Sequence, residues 1–226
     1  MFLIKNRLFY RGCMIRYAYK ELAENWLGIF RKLKISVVLI PEERCCGSPL
    51  KNAGARNEFE ENAEEFSKIL ERYHVGEIIA ACPACAYTLS SYLDIPIKHT
   101  TQVVCEKIQK AKLKPLNMKV SYHDPCHLSR YLEIFNEPRE ILTRCSCKVI
   151  DTAFSKKMTY CCGGGGGLPA NHPEVAEIIA KSRVEQLQSR EVDGIVTSCP
   201  MCYHQLRKYA SKPVYEISHL LARALE

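Results

Sequence analysis

Runs of apolar and β-branched residues of strand length alternate along the chain with stretches of helical periodicity. Residues 2–10, 35–40 and 77–81 read as strands, and residues 56–73 place Phe59, Ala63, Phe66, Ile69, Leu70 and Tyr73 on one helical face. The second half repeats the alternation. Strands are expected near 119–123, 148–151 and 194–198. Pro173, acceptable in a first helical turn, opens a helix whose apolar face carries Val175, Ile178, Ile179 and Leu187. Such an order of β and α segments predicts an α/β fold with parallel, helix-covered sheets.

The two halves are copies. At a constant offset of 117, Val75, Ile78, Cys82, Pro83, Cys85, Leu89, Tyr92 and Pro96 match Val192, Ile195, Cys199, Pro200, Cys202, Leu206, Tyr209 and Pro213. Upstream the offset falls to 116 between Cys45 and Cys161 and to 113 between Cys13 and Cys126, changes that loops absorb cheaply. The expectation is two similar tandem units, residues 1–115 and 116–226, each a small parallel sheet covered by helices. Matched strands, helices and prolines should bury matched faces, relating the units by pseudo-twofold symmetry.

The repeat carries ten of the thirteen cysteines. Cys13, the pair Cys45-Cys46 before Gly47, and Cys82-Pro83-Ala84-Cys85 recur as Cys126, Cys161-Cys162 before Gly163, and Cys199-Pro200-Met201-Cys202. Five thiols per half exceed what a tetrahedral zinc site needs, and soft thiolates in such numbers suit iron and sulfide. The apolar strand ending at Cys82 leads into helical sequence from Ala86, which puts the CxxC at a strand's carboxyl end and a helix's amino terminus. Open α/β sheets bind ligands there, and the helix terminus favours the thiolate that a metal requires. Cys13 and Cys126 follow their own strands and should face the same end.

Composition narrows the setting. No run of eighteen apolar residues exists, and Lys5, Arg7 and Arg11 stand where a signal peptide needs its apolar stretch, so a cytoplasmic protein without direct membrane insertion is expected. In a reducing compartment thirteen cysteines point to metal or redox chemistry rather than disulfides. The formal charge of +7 counts every cysteine as neutral and would partly offset anionic clusters. No basic run with interleaved aromatics is present, and nucleic acid is not expected as a partner.

These motifs, with FYRGC ahead of Cys45-Cys46-Gly47, then HDPCH at 123–127, EPREIL at 137–142 and CCGGGG from Cys161, resemble the cysteine-rich CCG domain. That domain belongs to heterodisulfide reductase B-type and D-type subunits and to related iron-sulfur subunits of glycolate, lactate, glycerol-3-phosphate and succinate oxidoreductases. The resemblance covers nearly the whole chain. It implies two 4Fe-4S clusters of the non-cubane kind, in which a two-iron and a three-iron unit share an iron. Carried over by position, Cys13, Cys45, Cys46, Cys82 and Cys85 would hold one, and Cys126, Cys161, Cys162, Cys199 and Cys202 the other. It also implies a disulfide substrate, reduced by an iron-sulfur catalytic subunit. Both cysteine sets are complete, which favours that branch over relatives with a degenerate half.

Two other readings stay open. One is an electron-transfer subunit passing electrons from a flavin-dependent hydroxy-acid dehydrogenase to quinone; the other is a zinc-stabilised scaffold without redox activity, with zinc in one half as its minor form. The chain has no ferredoxin-type cysteine run and no dinucleotide fingerprint, so either redox reading needs a ferredoxin-like or flavin-containing donor subunit. Such a partner could attach the protein to the inner membrane face.

Single residues carry weaker signals. His123, His127 and His204 lie beside cluster cysteines and are candidates to deliver protons, against the plainer reading of hydrogen-bonded structural groups. Gly47, Gly163 and Gly164 fit close backbone approach to a cofactor or substrate; no Gly-Lys-Ser/Thr follows the glycine run to make it a phosphate cradle. Arg130 and Arg139 are more simply solvated or carboxylate-paired than substrate-binding. Cys105 aligns with Ala222 and reads as a small buried apolar residue, and Cys145 and Cys147 as structural thiols.

Overall fold

The computed structural model describes residues 5–225. Two parallel sheets organise it. In the first, β1 (Asn6–Tyr10), β2 (Val75–Ala80) and β3 (Ile97–His99) lie in the order β1-β2-β3; in the second, β4 (Lys119–His123), β5 (Lys148–Ile150), β6 (Gly194–Thr197) and β7 (Val214–Glu216) lie in the order β5-β4-β6-β7. Val38 forms a single parallel bridge to Leu8 on the free edge of β1, where β5 pairs with β4 in the other half. The two sheets therefore share one topology, as the repeat requires.

The described residues also form ten α-helices: α1 (Lys20–Lys32), α2 (Ser48–Ala53), α3 (Arg56–Arg72), α4 (Pro83–Leu89), α5 (Thr100–Ile108), α6 (Glu137–Arg144), α7 (Leu168–Asn171), α8 (Pro173–Leu187), α9 (Pro200–Leu206) and α10 (Ile217–Ala224). Leu22, Trp26, Ile29 and Phe30 give α1 a fully apolar stripe at helical spacing. That stripe enters a core shared by both halves. Phe9 and Ile79 of the first sheet, Val120, Tyr122 and Val196 of the second, and the apolar faces of α1, α5, α6 and α10 all meet in it. Within this layer the pairing crosses the repeat: α1 packs on α10, and α5 on α6. The outer faces have smaller cores, one gathering Phe66 and Leu70 of α3 and the other Val184 and Leu187 of α8.

Two expectations need correction, the run at 35–40 and the buried face of α8. The run at 35–40 is not a strand, because Ile35 turns into the shared core and Ile40 into the outer one while only Val38 pairs. The expected strand at 2–10 forms over Asn6–Tyr10; residues 2–4 lie outside the described residues. On α8 the buried face is Ala176, Ala180, Arg183, Val184 and Leu187, whereas Val175 is 40% and Ile178 67% exposed. Small residues face inward there because the chain at Gly163 runs against the helix. Gly163 has φ +78°, and a Cβ on it would stand 2.7 Å from the Ala176 carbonyl oxygen. Gly47, at φ +87°, plays the same part in the first half, where a Cβ would stand 2.8 Å from the Phe59 ring.

Candidate metal centre

All four sheet strands that matter for the site end at one edge of each half. β2 delivers Cys82 and β6 delivers Cys199, each in extended conformation capping a helix whose first residue is proline, so that the missing proline amide leaves nothing unsatisfied. β1 and β4 lead to Cys13 and Cys126. Each of these two cysteines starts a π-helical turn, Met14–Ala18 and His127–Tyr131, closed by Tyr19 N–H to Met14 C=O at 2.9 Å and Leu132 N–H to His127 C=O at 3.0 Å. Such widened turns recur at functional sites.

The ten sulfurs form one unbroken line. Thiol contacts run from Cys13 to Cys45, to Cys46, to Cys85 and to Cys82. Cys82 then touches Cys199, and the line continues through Cys202, Cys162 and Cys161 to Cys126. The Cys162 to Cys202 sulfur distance is 3.2 Å, and the Gly163 amide donates to the Cys161 sulfur at 3.3 Å. Each five-cysteine set is contiguous, and the two sets meet where β2 and β6 end.

Three of the ten thiols, Cys45, Cys82 and Cys161, are pulled toward the thiolate, and the other seven are pushed the other way. Hydrogen bonds from the Cys13 and Cys46 thiols pull the Cys45 pKa down to about 2, and those from Cys126 and Cys162 do the same for Cys161. Their neighbours move the other way: the bond to Cys45 pushes Cys46 up to about 12, the bond to Cys161 pushes Cys162 up to about 12, and Cys13 and Cys126 rise further. Packed thiolates repel, so ten of them can coexist here only with cations among them. Five adjoining soft donors in each half fit an iron-sulfur cluster and outnumber the ligands zinc takes. A smaller group, His123 with Cys162 and Cys202, has its ligand atoms within 4.8 Å of one another.

The three histidines differ in placement. His127 Nδ1 lies 3.5 Å from the Cys126 sulfur; burial lowers its pKa while Cys82 and Cys161 oppose the shift, so the ring stands near sulfurs of both sets. Tyr87 and Tyr131 pack on it with ring centroids 5.8 and 5.1 Å away. His123 is buried, and burial and Arg183 lower its pKa to about 3, leaving it neutral. His204 bonds the Tyr19 hydroxyl at 2.5 Å, and the charges acting on it are Lys208 and Arg207 rather than thiols.

Gly164, like Gly47 and Gly163, has a packing cause, since a Cβ there would stand 3.1 Å from Met201 Cγ. Arg139 is committed to Asp124 at 2.7 and 2.8 Å and to Asp151 at 2.6 Å, and Arg130 binds the carbonyls of Lys157 and Thr159. The Arg139 guanidinium is thereby taken up by carboxylates, whereas Arg130 is exposed and bonds only carbonyls. Beside Cys161 opens a cavity of 330 Å³ lined by Tyr160, Ile178, Ile179, Ser182 and Arg183. Arg183 escaped the reading of the sequence, although a cation aligned with the core residue Phe66 at the offset of 117 was a visible signal.

Cys145 and Cys147 are buried in the shared core, and Cys105 and Ala222 both pack partly buried against it. Cys105→Ala should therefore leave iron content and spectra unchanged and cost about 1 kcal/mol or less in denaturant unfolding. Loss of iron in that variant would make Cys105 a ligand.

Residues 7–90 and 120–207 each match the CCG cysteine-rich domain, and the chain belongs to that family. It is 32% identical, over 88% of its length, to an uncharacterized iron-sulfur protein of Methanocaldococcus jannaschii, covering 40% of that protein. It is 31% identical to the D-type subunit of the dihydromethanophenazine:CoB–CoM heterodisulfide reductase of Methanosarcina barkeri, over 88% of this chain and 53% of that one. With the EtfAB:quinone oxidoreductase of Syntrophomonas wolfei it shares 27% identity over 97% of this chain and 34% of that one. The chain thus spans about half, or less, of the length of these relatives. Among the described residues no helix is long and apolar enough to cross a membrane.

Proposed function

We propose that this chain is the iron-sulfur catalytic part of a disulfide or heterodisulfide reductase, with non-cubane 4Fe-4S clusters on two cysteine sets. Cys13, Cys45, Cys46, Cys82 and Cys85 hold one, and Cys126, Cys161, Cys162, Cys199 and Cys202 the other, one set in each unit, 1–115 and 116–226. The observation that carries the reading is the contact of Cys82 with Cys199. It brings two separate sulfur sets together where β2 and β6 end, the arrangement that a single substrate shared by both would require.

Reducing a disulfide takes two electrons and two protons. Bound clusters supply the electrons one at a time, a pair of them matching the two that the substrate needs. The chain's own residues supply the rest. His127, whose Nδ1 lies 3.5 Å from the Cys126 sulfur, is the candidate to pass a proton to a product thiolate. Tyr87 and Tyr131 wall its ring on the solvent side, both being exposed. His123 is neutral and His204 is tied to Tyr19, so both serve better as positioning groups than as acids. Gly47, Gly163 and Gly164 let the vicinal cysteines lie against helices, bringing the sulfurs into line.

Electrons come from a ferredoxin-like or flavin-containing partner, in the cytoplasm or at the inner membrane face through that partner. Similarity to the EtfAB:quinone oxidoreductase favours a second reading, transfer from a flavoprotein toward quinone. Turnover separates them. Anaerobically reconstituted protein with a reduced viologen donor should consume low-molecular-weight disulfides and release two thiols per disulfide. Rapid oxidation by quinones with no thiol release from any disulfide would transfer the assignment to the second reading. Zinc without iron or labile sulfide would end both.

A further inference from the structure

The two sulfur sets are not electrostatically equivalent. Three residues before the first cysteine of each set stand Tyr10 and His123, and at matching places on α3 and α8 stand Phe66 and Arg183. In the first half the pair is aromatic, with Tyr10 and Phe66 centroids 5.7 Å apart. In the second, Arg183 Nε donates to His123 Nδ1 at 3.1 Å, and a ring nitrogen of His123 lies within 4.8 Å of the Cys162 and Cys202 sulfurs. A wholly uncharged contact has become a buried cation and an imidazole.

Arg183 is 1% exposed, and its side-chain bonds all go to neutral acceptors. Besides His123 these are Gln186 Oε1 at 2.9 Å, Thr159 Oγ1 at 3.4 Å and Thr152 Oγ1 at 3.5 Å. The nearest carboxylate, Asp124, is held by both guanidinium arms of Arg139 and by the Lys156 amide. Burial lowers the Arg183 pKa only to about 10, with Asp124, Cys202 and Cys162 opposing, so the group stays charged at neutral pH. A buried charge without an ion-pair partner is unfavourable unless another counter-charge is near. Around Arg183 the counter-charges are Asp124, in a cluster where Arg139 is shared with Asp151, and the Cys202 and Cys162 sulfurs of the second set.

We infer that Arg183, acting through His123, tunes the second cysteine set to hold more negative charge than the first, so that the first electron to enter the protein resides there. The inference rests on the proposal that both sets hold clusters. A fixed positive charge in a low-dielectric surrounding stabilises the reduced, more anionic state, and hydrogen bonding and burial around the sulfurs set cluster potentials. No charge at Tyr10 or Phe66 does this in the first half. The second set would fill first, and the first set would become the lower-potential centre.

The test is a potentiometric titration of the reconstituted full chain, followed by electron paramagnetic resonance. The wild type should give two midpoints, the higher assigned to the second half by its disappearance in Cys202→Ser. Arg183→Met should lower that midpoint by about 59 mV, a tenfold fall in the reduced-to-oxidised ratio of a one-electron couple. The other midpoint should stay in place, and Arg183→Lys should restore most of the separation. The double variant His123→Tyr with Arg183→Phe copies the first half's packing and should bring the midpoints together. Iron and sulfide content report separately on whether the sets hold clusters at all. Retained iron with unmoved midpoints in Arg183→Met would overturn the inference, as would midpoints still separate in the double variant. Loss of iron in all three variants, the charge-keeping lysine included, would assign Arg183 to folding instead.

Discussion

Cys202→Ser should lower iron and acid-labile sulfide to about half of the wild-type content, removing roughly four irons of eight if each set holds a 4Fe-4S cluster. Cys202 is buried between Cys199 and Cys162, with the Cys162 sulfur at 3.2 Å, and the harder serine oxygen is a poor substitute for a thiolate on iron. Its repeat partner Cys85 touches Cys46 and Cys82 in the same way, so Cys85→Ser should remove the other half. The contact of Cys82 with Cys199 makes the competing outcome a serious one. If either single substitution emptied the whole protein while leaving it folded, the ten sulfurs would form one shared site. Iron and sulfide analysis with circular dichroism on each variant decides.

Trp26→Ala should destabilise the protein by about 3–5 kcal/mol, the range for truncating a large aromatic in a packed core. Trp26 is fully buried, stacks on Phe30 at 5.9 Å, and lies in the layer where α1 meets α10 of the other half. Because that core belongs to both halves, unfolding by denaturant should stay a single transition shifted to lower concentration. Circular dichroism is the suitable probe, as Trp26 is the only tryptophan. Two separate transitions, with only the first half weakened, would mean that the units fold independently.

Much of this arrangement was legible because the repeat wrote it twice. Cysteine spacings, the strands leading to Cys13, Cys82, Cys126 and Cys199, and the prolines after Cys82 and Cys199 are local features that survive comparison of the halves. β3 and β7 drew no expectation from the sequence, although Pro96 and Pro213 mark where each begins. The amphipathic stripe of α1 was present in the sequence but carries no cysteine and drew no expectation. On α8, periodicity pointed to Val175 and Ile178, and only tertiary packing against Gly163 shows why alanines face inward. The π-helical turns after Cys13 and Cys126, the crossing of α1 to α10 and α5 to α6, and the meeting of Cys82 with Cys199 depend on contacts far apart in sequence. No local periodicity encodes them. Arg183 was readable only as a departure from the repeat, a cation where the first half has Phe66.

Two sulfur sets that meet at Cys82 and Cys199 are proposed to hold redox centres acting on one disulfide. Anaerobic electron paramagnetic resonance, with the reconstituted protein titrated against a panel of low-molecular-weight disulfides, tests that most directly. A new paramagnetic signal should appear only with a disulfide, saturate with its concentration, and be lost in both Cys82→Ser and Cys199→Ser. Spectra of an iron-loaded protein that stay unchanged across the whole panel would contradict it.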